Sequence, residues 1–359
     1  MKIDGYETMS VDLPLVEGYR IAGETIDHCQ NHLVRVSAGP YTGFGSASPS
    51  GGTIGENDQQ CIAAMRGPLA ELTSAFKITD DPRSWSQQAL TLAPDCPAAI
   101  AAVDMALWDL VAKRAGVPLF RLWGGATNSI PTSVTIGICS VEQTLAEAHE
   151  WLAKGFFVLK VKIGEDLESD VERLAKLREQ FGPDVLLRVD ANQGYDLDSA
   201  RDLLRRTADL NIEMFEQPLP QDDLSEAAEL TGESTVPIVA DESATGIAEC
   251  LAVVNRRAAH CVNIKLMKCG GPTAARQIHD HAESAGMTLM LGCNDEVRVS
   301  IAAGAHLAQS MPALRYADLD GHMDLARDPS SGGFSISDGR IVLSEAPGLG
   351  VSIETWETN

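Results

Sequence analysis

Beyond about residue 130 the chain alternates short apolar runs with amphipathic stretches of about ten to fifteen residues. The runs are TSVTIGI, FFVLKVKIG, VLLRVDANQG, IEMFEQP, VPIVADES, CVNIKLMKCGG, MTLMLGCNDE and ALRYADLDG. Each of the first seven is followed by a helical pattern, such as EQTLAEAHEWLAKG after the first and PTAARQIHDHAESAG after the sixth. Strand and helix in alternation predict parallel βα units, and eight strands is the number that closes a TIM-type barrel. An open doubly wound sheet is the alternative, and the polar residues choose between the two. Nearly every run is apolar first and ends on a charged residue: Lys162, Asp190, Glu216, Asp241, Lys265, Asp295, Asp318. Strand ends converge on one mouth only in a closed sheet, so the pattern favours an α/β fold with a (β/α)7β barrel.

The first 120 or so residues follow another rhythm. KIDGYETMSVDLPL and NHLVRVSAGPYTGFGSA read as antiparallel strands, and CPAAIAAVDMALWDLVAKRAGVPL as a helix stopped by Gly116 and Pro118. We therefore expect an α+β capping domain over residues 1–125, the barrel over 126–325, and a C-terminal segment over 326–359. In that segment GGFSISDGRIVLSEAPGLGVSI predicts a hairpin with a Ser-Asp-Gly turn, expected to return to the first domain. SASPSGGTIGEND, residues 46–58, has little to bury and is expected to serve as a flap over the mouth.

Composition narrows the function classes. At 359 residues and 44% hydrophobic, the chain can bury a large core and a second, smaller unit. A formal charge of −23, from 28 Lys+Arg against 51 Asp+Glu, excludes the basic footprint of a nucleic-acid binder. No apolar run reaches the roughly 18 residues of a membrane span, and MKIDGYETMS lacks a signal-peptide pattern, so a soluble cytoplasmic protein is expected. The eight cysteines are scattered without metal or redox spacing, and reduced, mostly buried thiols are expected.

The chemistry lies at the strand ends. Asp190, Glu216 and Asp241 close three successive strands, which places three carboxylates side by side. Adjacent anions repel, and a hard dication with oxygen ligands relieves them, so one Mg²⁺ is expected, with Asn192 close behind it. The competing reading has each carboxylate capping the next helix or pairing with a lysine. Lys160 and Lys162, two apart in VLKVKIG, point to one side of a core strand, and Lys265 lies four strands further round a barrel of eight. A lysine beside another cation in a desolvated mouth should have a lowered pKa, as a base near neutral pH requires. Lys162, nearer the mouth, is the expected base and Lys160 its neighbour; salt bridging to the carboxylates is the alternative for both. A dication between opposed lysines suits removal of a proton α to a carboxylate and its return from the other face.

These pieces resemble the enolase superfamily, in its muconate-lactonising subgroup, and most of all its dipeptide epimerases, whose sites join a lysine or histidine base to Mg²⁺. KVKIG, RVDANQGY, FEQPLP, VADES, NIKLMKCGG and DLDG carry the resemblance in the barrel, AAVDMALWDLVAKRAGVPL and APGLGVSI outside it. It implies 1,1-proton transfer through an enediolate at the α-carbon of a dipeptide's C-terminal residue, with Lys162 and Lys265 as acid and base. It also implies that Asp318 and Asp320 grip the substrate's ammonium, that Thr135, Ile136 and Cys293 face it, and that the protein is a homo-oligomer. The chain departs from the pattern at GFGSA, where Ser46 stands in place of an acidic residue. An L-Ala-D/L-Glu epimerase, an N-acylamino acid racemase, an o-succinylbenzoate synthase or a lactonising enzyme are the alternatives, with a non-catalytic ligand-binding barrel the remote one.

Relatives acting on L-Ala-D/L-Glu meet the glutamate with an arginine where YRIAGETIDH here brings Glu24. Asp295 follows Cys293 by two residues and should face the same pocket. Two anions would repel glutamate and hold a Lys or Arg side chain, so a dipeptide with a cationic second residue is expected. The bland alternative pairs Glu24 with Arg20 or points it to water, and has Asp295 cap the helix near Val297.

Overall fold

The computed structural model describes residues 1–50 and 55–356. Alternating strands Gly5–Ile21 and Glu24–Ala38 form a long antiparallel hairpin whose register breaks between Pro14 and Tyr19, and Tyr41–Ala47 adds a third strand. The alanine-rich helix Pro97–Ala115 is buried along nearly its whole length against this sheet. Gly43 and Gly45 permit the approach: a Cβ on either would meet the helix carbonyl of Ala106 or Ala102 at 2.0 or 1.8 Å.

The eight expected strands are all present and parallel, in sequential order: Val134–Ile136, Val158–Lys162, Leu186–Asp190, Ile212–Glu216, Ile238–Ala240, Cys261–Lys265, Thr288–Gly292 and Leu314–Asp318. We number them first to eighth. Between the first and eighth, closure rests on Ser133 N–H donating to Ala317 O (3.2 Å) and on the side chains of Thr132 and Ser133 rather than a ladder. This is the α/β barrel that the pattern predicts.

Alternation grades the interior from apolar to charged. Met214, Val239, Cys261, Met290 and Tyr316, one from each of the last five strands, form a separate buried cluster, with the Arg188 guanidinium 5.0 Å from the Tyr316 ring centre. Two residues on along the third, fourth and fifth strands, the same face presents Asp190, Glu216 and Asp241. Outside the barrel, the core of the N-terminal unit runs without a break into that of the later strands, while the first half of the barrel keeps its own.

The C-terminal hairpin is Phe334–Ser337 with Arg340–Leu343, turning at Asp338 and Gly339, both at positive φ. It pairs with the short strand Ser129–Pro131, whose free edge lies just before the barrel, and not with the N-terminal sheet. The chain on either side of it reaches the first unit: before it, Ala326 N–H donates to Pro14 O (2.9 Å); beyond it, Leu349 N–H donates to the Asp109 carboxylate (2.7 Å), and Trp356 lies under the Arg35 guanidinium. Of the segment read as a flap, Ser46 is buried within the strand Tyr41–Ala47 and Ser48 Oγ donates to Asp295 O (2.9 Å). Glu56 is buried and accepts from Ala98 and Ala99 N–H at the start of the alanine-rich helix (2.7 and 3.2 Å). Both described ends are thus anchored; residues 51–54 lie outside the described part. No described helix is long and apolar enough to cross a membrane.

Candidate active site

The second strand turns Lys160 and Lys162 inward, 2% and 8% exposed. Lys160 Nζ lies 2.7 Å from Asp318 Oδ2, 2.9 Å from Glu216 Oε2 and 3.0 Å from Asp190 Oδ2. Lys162 Nζ donates to Asp190 Oδ2 (2.7 Å) and to Asn192 Oδ1 (2.9 Å). From the sixth strand Lys265 Nζ stands 3.0 Å from Asp241 Oδ2, and Lys268, just past it, bridges the Asp241 carboxylate and the carbonyls of Asp241 and Asn263. Register explains the meeting: Lys162 is level with Asp190 and Asp190 with Glu216, while Lys265 is level with Gly292 and Gly292 with Asp318. Gly292 leaves room for Asn263, whose Oδ1 a Cβ there would meet at 2.7 Å.

This pairing sets the ionisation. Burial pushes Asp190 up, but Lys160 and Lys162 outweigh it and hold the carboxyl at about 2. Asp241 is buried too and is held lower still by Lys265 and Lys268. Burial and the Asp190 charge raise Glu216 to about 7, against Lys160. For Lys265 and Lys160, burial alone would lower the ammonium pKa, yet adjacent carboxylates, Asp241 for the former and Asp190 for the latter, raise it above the ordinary lysine value. The expected lowered pKa is therefore corrected for both: each has anions as nearest charges, and these outweigh burial and the neighbouring cation.

Among the described residues no three His, Cys, Asp or Glu side chains already stand together as a metal cluster. The three strand-end carboxylates do converge, with ammoniums between them. Buried Glu216 Oε2 and Asp241 Oδ2 accept no aligned hydrogen bond, despite a lysine at 2.9 and 3.0 Å, and Glu242 Oε2 accepts none either. Hard oxygens left without a donor fit Mg²⁺ in chemical kind, provided that Lys160 and Lys265 draw back.

Above this layer opens a cavity of about 400 Å³, reached by Lys160, Lys162, Lys265, Thr135 and Cys293. Its lining also carries Glu24, Asp295, Asp320 and Asp324. Tyr19 OH donates to Asp295 Oδ2 (3.1 Å), and Asp320 Oδ2 accepts from Thr135 N–H (2.7 Å). Burial raises all three aspartates, Asp295 to about 6, Asp320 to about 7 with Asp318 adding, and Asp324 to about 8 with Asp320 and Asp295 adding. The cavity lysines pair with other carboxylates, and no ion pair among the described residues reaches these four.

Of the bland alternatives for Glu24 and Asp295, the Arg20 pair and the helix cap do not occur, whereas Glu24 is exposed to water as the remaining one has it. Arg20 pairs with Glu165 (2.8 Å), and Asp328, not Asp295, accepts from Arg298 N–H at the head of the following helix (2.7 Å). Two other expectations change. Asp318 is engaged by Lys160 and by Ser133 Oγ (2.6 Å), which leaves Asp320 the freer of the pair. Ile136 is fully buried in the core of the first half of the barrel, because alternation turns it away from the face that Thr135 presents.

A family model described as enolase C-terminal domain-like matches residues 143–357, and one described as the mandelate racemase/muconate lactonizing enzyme N-terminal domain matches residues 7–124. The chain belongs to this family, within the enolase superfamily. Among its relatives, the L-Lys-D/L-Arg epimerase of Methylococcus capsulatus is 46% identical over 98% of this chain and 99% of its own length. The L-Ala-D/L-Glu epimerase of Bacillus subtilis is 33% identical over 98% and 97%. A crystal structure of the M. capsulatus dipeptide epimerase with Mg and the dipeptide L-Arg-D-Lys superposes with a TM-score of 0.92 at 44% identity, covering 98% of this chain and 99% of that one.

Against this enolase-superfamily frame, several polar residues of the site escaped the sequence reading. Lys268 was visible as a second lysine three after Lys265, but nothing in NIKLMK tells that the chain turns into a short helix and carries it back to Asp241. Tyr19 and Asp324 lie beside irregular backbone, where no period predicts direction. Asn31 Nδ2 donates to Asp295 O (3.1 Å), a contact between units 264 residues apart that no local pattern can show.

Proposed function

We propose that this protein is a dipeptide epimerase that moves a proton between the two faces of the α-carbon of the C-terminal residue, and that both residues of its preferred substrate carry cationic side chains. One lysine, as the amine, takes the α-proton, and the electron pair spreads into the carboxylate as an enediolate. The opposed lysine, as the ammonium, gives a proton to the other face, and the configuration inverts. The observation that carries this reading is the pair Lys162 and Lys265, on the second and sixth of eight strands, facing one cavity. Asp190, Glu216 and Asp241 are the residues that would hold Mg²⁺. Held there, Mg²⁺ would supply positive charge to offset the second negative charge of the enediolate, and the lysines would be less drawn to these carboxylates. Lys160, drawn back from Asp190 and Glu216 but kept on Asp318, would be a positive charge beside the substrate carboxylate.

The cationic preference is supported by the acidic wall and by the name of the 46% identical relative, L-Lys-D/L-Arg epimerase. An α-ammonium and two cationic side chains would bring three positive charges to Glu24, Asp295, Asp320 and Asp324. Asp320 suits the α-ammonium best, and Asp295, steered by Tyr19, the second side chain. Thr135 and Cys293 bound the peptide between them. Eight free thiols support a cytoplasmic setting; a homo-oligomer is our expectation, and a monomer by light scattering overturns it.

The test is turnover of L-Lys-L-Arg and L-Ala-L-Glu in D₂O with Mg²⁺, before and after chelation. We expect deuterium in the α-position of both epimers, faster turnover of the cationic peptide, and loss of activity on chelation with recovery on adding Mg²⁺. Loss of water or ring closure without epimerisation would assign a lyase or cycloisomerase instead.

A further inference from the structure

Lys162 and Lys265 face one cavity, yet they are held differently. Besides Asp190, Lys162 Nζ donates to the neutral amide oxygen of Asn192 (2.9 Å). Lys265 Nζ has only Asp241 within reach among the described residues. The Asn192 amide is itself clamped. Its Nδ2 donates to Glu242 Oε1 (3.1 Å), and its backbone N–H donates to Asp190 Oδ1 (3.0 Å). An ionised carboxylate only accepts, so the NH₂ of the amide must face Glu242 and its oxygen must face Lys162. Glu242 is 6% exposed and fixed in place behind the amide.

The backbone is shaped to the same end. Asn192 has φ 41° and Gln193 φ 70°, the left-handed region, which asparagine tolerates better than most residues. Gln193 N–H donates to Gln217 O and Gly194 N–H to Ala191 O, both at 2.8 Å, and together they lock the turn. Strain held by surrounding bonds in this way gathers at functional sites. Asp190 is shared between Lys162 and Lys160, whereas Asn192 serves Lys162 alone. A neutral acceptor can orient the nitrogen without adding a full charge beside it.

We infer that Asn192, its amide clamped by Glu242, is a positioning residue for Lys162 and not for Lys265, so that one face of the substrate's α-carbon is served by a tethered lysine and the other by an untethered one. The inference rests on the two-base reading above. Its signature is stereochemical. Loss of the tether should slow proton removal from the epimer whose α-hydrogen faces Lys162, and spare the other.

The experiment follows the initial loss of the α-proton signal by NMR in D₂O with Mg²⁺, starting separately from L-Lys-L-Arg and L-Lys-D-Arg. It compares the native full chain with Asn192→Leu, Glu242→Leu and Glu242→Gln. In Asn192→Leu we expect washout from one epimer to slow about 10- to 100-fold more than from the other, the scale of a misplaced catalytic group. Glu242→Leu should skew the same epimer by less, and Glu242→Gln, which keeps an oxygen for the Asn192 amide, should restore the native ratio. Both rates are taken with the same enzyme preparation at the same concentration, so a partly misfolded variant does not distort their ratio. Equal slowing of both epimers, or opposite skews in Asn192→Leu and Glu242→Leu, overturns the inference while leaving the epimerase reading intact. A native protein that exchanges neither epimer overturns both.

Discussion

On the wall formed by the second to sixth strands, each of the three strand-end carboxylates has an ammonium within 3.0 Å, whereas on the acidic wall of the same cavity Glu24, Asp295, Asp320 and Asp324 have none among the described residues. Both walls are rich in carboxylates and largely buried, so the difference is one of compensation. The first wall neutralises itself, and its chemistry needs only an α-proton and a carboxylate, which every dipeptide offers. The second is short of positive charge, and a ligand must supply it. On the reading proposed above, reaction and selectivity rest on different walls and should separate under mutation.

The largest effect belongs to the first wall. Lys265→Ala and Lys162→Ala should each lower epimerisation of any dipeptide by at least about 10²- to 10⁴-fold, the usual worth of a general acid or base. Steady-state rates on a cationic and a neutral dipeptide should fall together. Full activity of Lys265→Ala on both epimers would sink the two-base assignment.

Next comes the second wall. Asp295→Asn should lower kcat/KM for L-Lys-L-Arg by about 10- to 100-fold, the 1.5–3 kcal/mol of a charge-assisted hydrogen bond, and leave or improve that for L-Ala-L-Glu. A parallel fall on both peptides would place Asp295 with the chemistry and erase the contrast between the walls. Native turnover of the glutamate peptide equal to that of the cationic one would do the same.

The two walls also differed in how far they could be read from sequence. The first stands on strand ends, where a period of two fixes the face and an apolar run fixes the depth; Lys160, Lys162, Asp190, Glu216, Asp241 and Lys265 were therefore legible, as was the eight-strand barrel that gathers them. The second is assembled from ends and turns without a period. Glu24 was found only by matching positions to a family pattern, Asp295 by its place at the end of the seventh run two residues after Cys293, and Asp324 and Tyr19 were missed. Ionisation was the least legible, because the sign of the Lys265 shift depends on Asp241 being nearer than any cation.

Stability gives a smaller but independent measure. Asp324 ionises near 3.8 when unfolded and at about 8 in the fold, because burial and the charges of Asp320 and Asp295 disfavour its anion. Below about pH 4 it is protonated in both states and has no effect. Between about pH 4 and 8 the folded state binds more protons than the unfolded one, so the stability contributed by the protonated group is lost as pH rises. Asp324→Asn should therefore raise Tm by a few degrees, about 2–4 °C per kcal/mol, at pH 8 and by nothing at pH 4. Calorimetry across that range checks it; an equal shift at both pH values would mean that the acidic wall carries no electrostatic strain.

The smallest effect is expected from Glu24, which shows how far the acidic wall extends. It follows the turn of the long N-terminal hairpin and is exposed, so water and salt screen its charge. An exposed carboxylate contributes about 0.2–1 kcal/mol to an ion pair, far less than a desolvated one. Its influence should be felt by a cationic dipeptide on approach, in the association rate rather than in the bound complex. Glu24→Gln should then lower kcat/KM for L-Lys-L-Arg by no more than about fivefold at low ionic strength, with kcat unchanged, and the deficit should vanish near 1 M salt, where the Debye length is about 3 Å. A loss as large as that of Asp295→Asn, persisting in high salt, would mean that the hairpin closes over the bound substrate and that Glu24 belongs to the desolvated part of the pocket.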